Sequence, residues 1–105
     1  MHHFRATRKS RMTTFFRVLG TTKRSQVAIM VMKPGQDSGE YGNEHPKSDQ
    51  ILYVLDGRGI AVISGKRVKL SPGDTVVVVA GEKHQFKNTG RKAFKTINVY
   101  APPAY

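Results

Sequence analysis

From residue 15 onward the apolar positions fall into short runs, none long enough or periodic enough for a helix with caps. "FFRVL" (15–19), "QILYVL" (50–55) and "IAVI" (60–63) are compact β-forming segments. "VKL" (68–70) returns after "SGKR", while "HQFKN" (84–88) and "AFKTINVYA" (93–101) alternate with a period of two. "QVAIMVM" (26–32) and "TVVVVA" (75–80) are almost continuously apolar, which predicts strands covered on both faces. Turn residues punctuate these runs. Ser64-Gly65 supplies the positive φ of a two-residue hairpin, and Pro72-Gly73 suits the centre of a type II turn. "QDSGEYGN" (36–43) has no period and reads as a loop. About eight short strands at close spacing predict an all-β, antiparallel sandwich or barrel, in which a closed sheet removes exposed edges.

A chain of 105 residues fits one domain with a modest core. Residues 1–14 read as a basic arm and 15–105 as the β domain. The chain has no cysteine, which excludes disulfides, thiolate metal sites and cysteine nucleophiles. It carries no apolar run of membrane-spanning length and no signal-peptide segment, so a cytoplasmic location without membrane contact is the default expectation.

The formal charge of +11 would draw polyanions. Its densest stretch is the start of the chain, from Arg5 to Arg24, with no acid before Asp37. The other cations sit at turns, as Lys66, Arg67 and Lys69, or Arg91, Lys92 and Lys95. That distribution suits solubility and the guarding of strand edges better than nucleic-acid binding. Aromatic residues are not interleaved with the basic ones as stacking on single strands requires.

Four polar side chains stand out by position. Asn43 and His45, two apart, share a face if the chain is extended there; Gln50 opens one strand and His84 another. Strand starts at one end of a small barrel converge in its mouth. Two imidazoles with two amide oxygens form a donor set suited to Zn, Fe, Mn, Ni or Cu. The plain alternative is that each histidine is simply hydrogen-bonded. Alternation aims Glu44 and Asp49 the other way. Tyr53 and Tyr100 read as packing residues, and "APPAY" (101–105) as a free tail or one laid on a neighbouring subunit.

These residues resemble the signatures of the cupin superfamily. "GDTVVVVAGEKHQFKN" places Gly73, Gly81, His84 and Asn88 at the spacing G-x5-P-x-G-x2-H-x3-N, with Val79 where the proline stands. "NEHPKSDQILYVLDG" is similar to G-x5-H-x-H-x3–4-E-x6-G through His45, Gln50 and Gly57. Asn43 then stands for the first histidine and Gln50 for the glutamate. A second register starts from Gly39, makes His45 the first histidine and leaves Lys47 at the second. In either register one histidine and the carboxylate are missing.

The resemblance covers roughly residues 26–101. It extends to small single-domain cupins of undefined function, some labelled mannose-6-phosphate isomerase-like. It implies a single-domain antiparallel β-jelly-roll barrel, commonly a homodimer, with a metal in the mouth. The implied metal positions are Asn43, His45, Gln50 and His84. Three functions follow as expectations. One is a pocket for a small ligand, with a weakly held divalent transition metal. The second is a metal-dependent oxygenase or isomerase acting on a small oxygenated substrate, with Glu44 or Asp49 as a base if the loop turns inward. The third is a non-catalytic module for polyanions.

Overall fold

The computed structural model describes residues 15–105, so the basic arm (1–14) lies outside the described residues. Among the described residues eight strands form and no helix: β1 (Phe15–Thr21), β2 (Gln26–Met32), β3 (Asp49–Asp56), β4 (Gly59–Ile63), β5 (Lys66–Leu70), β6 (Thr75–Val78), β7 (His84–Asn88) and β8 (Phe94–Ala101). They assemble as two antiparallel sheets, ordered β1-β2-β8-β3-β6 and β5-β4-β7. This is an all-β jelly roll.

The core fills the space between the sheets, with Met32, Leu52, Val54, Phe86 and Phe94 all buried. The alternation read from sequence is real in β7 and β8, where every second side chain is buried, and the structure adds the same burial pattern in the apolar β3. The hairpin at Ser64-Gly65 also forms as read, with φ of 47° and 81°. Gly57, the closing glycine of the first motif, has φ 84°, and a Cβ there would stand 2.3 Å from the Ala93 carbonyl oxygen. Only glycine permits that approach of β3 to the start of β8.

Three expectations need correction. β2 is buried on one face only: Val27, Ile29 and Val31 are half-exposed, because no layer of the described chain covers the outside of the larger sheet. β6 is an edge strand ending at Val78, and Val77 and Val79 are more than half exposed. Tyr53 is likewise exposed, on the outer face rather than in the core.

The 36–43 segment is not a free loop. Ser38 N donates to Phe86 O, Asn88 N to Gln36 O, and Gly42 and His84 exchange N–H···O bonds of 3.3 and 2.9 Å. The segment therefore runs along the outer edge of β7, adding irregular pairing where the three-stranded sheet would otherwise stop. This pairing positions the site, because it fixes Gly42, three residues before His45, opposite His84. The opposite edge, β5, exposes Lys66, Arg67 and Lys69, the charges that discourage strand addition.

Candidate functional site

At one end of the barrel the sheets part around a cavity of about 250 Å³. The larger sheet contributes Phe16, Met30, Gln50 and Tyr100, β7 contributes His84 and Phe86, and the 36–48 segment contributes Ser38, Glu44 and His45. Tyr105 completes the wall.

The two histidines meet. Their ring centroids are 4.6 Å apart, and both rings are buried. His45 Nε2 is 2.9 Å from Gln50 Oε1, and its Nδ1 is 3.3 Å from the Ser48 carbonyl oxygen. Gln50 Nε2 donates to Asn98 Oδ1 at 2.9 Å and to the Tyr100 hydroxyl at 3.3 Å; Asn98 Nδ2 donates in turn to Thr96 Oγ1 at 3.0 Å. Gln50 pairs with Tyr100 across β3 and β8, and Leu52 with Asn98, so the contacts follow from register.

His84 is held differently. Its Nδ1 lies 3.0 Å from the Glu82 carbonyl oxygen, which can only accept, so Nδ1 carries the proton. Burial holds its pKa below the ordinary histidine value, against the Glu82 carbonyl bond that favours the charged form, and the nearby His45 adds to the lowering. The ring is thus neutral near pH 7, with a lone pair on Nε2. Among the described residues no buried polar side-chain atom lacks a partner. Nε2, which makes no hydrogen bond of its own there, is therefore open to the cavity that His84 lines.

The other sequence candidates separate. Asn43 is exposed and does not line the cavity, whereas Glu44 does. Alternation gave the opposite order because strand geometry begins only at Asp49, and residues 43–45 are not extended. Asp49 points outward as expected and accepts from Ala80 N at 2.9 Å. Asn88, the last residue of the second motif, is not at the site. It donates to the carbonyls of Met32 and Lys92 and accepts from Gly90 N, which makes it a structural clamp.

Sequence reading missed Thr96 and Asn98, both fully buried. Their signal was present: two polar residues share the inward parity of β8 with Phe94 and Tyr100. It also missed Gln26 and Tyr105. The tail is not free: Gln26 Oε1 accepts from the backbone N–H of Ala104 and of Tyr105, at 3.1 and 2.9 Å.

The fold family implies a metal, and the donors present fit one only weakly. Ligands at right angles around an ion, each about 2.1 Å from it, lie about 3 Å from one another. The separation of His45 Nε2 and Gln50 Oε1 matches that edge, and the His84 lone pair faces the same space. None of the three donors is a carboxylate, however. Among the described residues no three His, Cys, Asp or Glu side chains converge as a metal-holding group.

The family model for the cupin domain matches residues 28–100. The uncharacterized protein YrkC of Bacillus subtilis is 35% identical over 105 residues, covering 94% of this chain and 54% of that protein. An acireductone dioxygenase of Rhodopseudomonas palustris is 40% identical over 79 residues, 66% of this chain and 48% of that enzyme. The chain thus spans about half the length of the curated relatives it matches. The crystal structure of BH2720 from Bacillus halodurans superposes with a TM-score of 0.81 at 31% identity, covering 90% of this chain and 75% of that one. Two sheets enclosing a polar mouth, the second motif intact except at Val79, and these matches make the chain a member of the cupin family.

Proposed function

We propose that this chain binds a small oxygenated molecule in the barrel mouth, with a divalent transition metal held weakly by His45, His84 and Gln50. The neutral His84 carries the reading: one ring nitrogen is tied to the Glu82 carbonyl, leaving the other to accept a proton from a ligand or to bind an ion. An ion bound there would leave positions open and polarise a ligand oxygen.

The test is calorimetric titration of the purified chain, with His2 and His3 replaced, against Mn, Fe, Ni, Zn and Cu. One saturable site is expected, emptied by gel filtration and abolished in His84→Ala. Metal that survives gel filtration would refute weak holding. No heat with any ion would remove the metal altogether.

A second reading has support from Glu44, whose carboxylate stands at the cavity within about one residue of His45 and gives an enzyme the base it needs. The similarity to an acireductone dioxygenase makes oxygenase chemistry the class to assay. Under this reading Glu44→Gln keeps ligand binding and loses turnover.

The outer face of the larger sheet supports a homodimer. Register places Ile29, Ile97 and Tyr53 in one row across it, and Val99, Ile51 and Val77 in the next. Apolar rows of this extent on a chain of charge +11 form a neutral surface on which two like-charged copies can meet. Light scattering should give a dimer mass for the parent chain and a monomer mass for the Ile51→Asp/Val77→Asp variant. A monomeric parent would refute the interface.

A further inference from the structure

The cavity has two features that its polar donors do not explain. The first is its charge. Among the described residues Glu44 is the sole Asp, Glu, Lys or Arg in the lining. A pocket for phosphate or carboxylate groups is built around cations. The Tyr100 and Tyr105 hydroxyls of the same lining have raised pKa values, from burial first, with Glu44 contributing to each.

The second feature is an aromatic wall. The ring of Tyr105 lies 4.8 Å from that of Phe16 and 5.0 Å from that of Tyr100, tilted by 55° and 73°. Tyr100 in turn stands edge-on to His45 at 5.1 Å. Rings at these separations pack against one another, and together they line the cavity as one aromatic wall. The position of Tyr105 is set from below. Gln26, buried at the start of β2, accepts from two backbone N–H groups of the 102–105 segment, and its amide donates to the Tyr105 carbonyl oxygen at 2.6 Å and to Thr21 Oγ1 at 3.0 Å. A buried amide with every polar atom engaged holds this segment in one place.

We propose that the pocket selects uncharged aromatic rings bearing hydroxyl groups, and that Tyr105, positioned by Gln26, sets this selectivity. The inference rests on the small-ligand reading above and names its ligand class. A ring hydroxyl donates to His84 Nε2, and the ring lies against Phe16, Tyr100 and Tyr105. Gln26 touches no ligand and acts through Tyr105.

The test is titration of the full chain, in chelator-treated buffer, with catechol, glucose and glucose 6-phosphate. Catechol is expected to bind, glucose about tenfold more weakly, and glucose 6-phosphate not at all. Tyr105→Ala should weaken catechol about tenfold and leave glucose unchanged, the loss expected from one aromatic contact. Gln26→Leu should shift selectivity in the same direction. The Gln26→Leu/Tyr105→Ala double variant should be no weaker than Tyr105→Ala alone, which a merely structural glutamine would not produce. Glucose 6-phosphate binding best, or catechol binding that requires His84 yet ignores Tyr105, overturns the inference alone. Failure of all three probes, or catechol binding indifferent to His84→Ala, overturns the pocket reading itself.

Discussion

Asn88 allows the sharpest separation of structure from chemistry in this fold. It occupies the last position of the second cupin motif, four residues after His84. The structure gives it three backbone bonds: Nδ2 to Met32 O at 2.9 Å, Nδ2 to Lys92 O at 2.9 Å, and Gly90 N to Oδ1 at 2.8 Å. It therefore ties the end of β2 to the turn between β7 and β8. In Asn88→Ala all three bonds are lost inside the fold. At about 1 kcal/mol net for each, the variant should be destabilised by roughly 3 kcal/mol. For a domain near this size that lowers the melting temperature by about 12–24 °C.

Asn88→Asp should cost at least as much at neutral pH, because an acceptor then faces two carbonyl oxygens. Its deficit should shrink in acid, as protonation restores a donor. Urea unfolding followed by circular dichroism measures both variants. Asn88→Ala with a loss below about 1 kcal/mol would refute the clamp. So would a folded variant with native stability and no ligand binding, since that places Asn88 at the pocket.

Two further outcomes follow from the turns and from His84. Gly57→Ala should fail to give folded protein, because the new Cβ meets the Ala93 carbonyl oxygen at 2.3 Å and the backbone Cα of Phe94 at 2.8 Å; Gly65→Asn, at φ 81° with nothing within 4 Å, should melt within a few degrees of the parent. The folded-state pKa of His84 is lowered from 6.5 by burial, so the unfolded chain takes up this proton first as pH falls. Its contribution to stability is complete above 6.5 and declines as pH drops from 6.5 toward the folded value. Melting curves of His84→Gln should therefore fall less steeply than those of the parent across that window, and parallel curves would count against a buried neutral ring.

The strands were legible because side-chain burial leaves a period in the sequence. β7 and β8 show it cleanly, and the Ser64-Gly65 turn announces its own backbone. The pairing of 36–43 with β7 left no such trace. It is made by backbone N–H and C=O groups, which every residue carries, through Gln36, Ser38 and Gly42. Hence His45 and His84 could be named, while the element that joins them read as a loop. Two-residue alternation likewise failed at Asn43 and Glu44, where the chain bends before β3 begins. Outer-face burial was invisible for a different reason. Val27, Ile29 and Val31 look the same in sequence whether a second layer covers them or a partner does.

The depleted ligand set has a physical consequence for what the mouth accepts. The glutamate and third histidine that the family resemblance implies would leave a buried charge needing an ion to offset it. Gln50 removes that charge. Its amide is engaged by His45, Asn98 and Tyr100, and no buried polar side-chain atom among the described residues lacks a partner. The Gln50 amide is thus fully engaged before anything enters. An ion must break the His45–Gln50 bond, at a cost of about 1 kcal/mol, and gains no carboxylate from these positions in return. A neutral hydroxyl need break nothing, since the His84 lone pair is already open to the cavity. An amide rather than a carboxylate at Gln50 therefore lowers what an ion gains on entering the mouth.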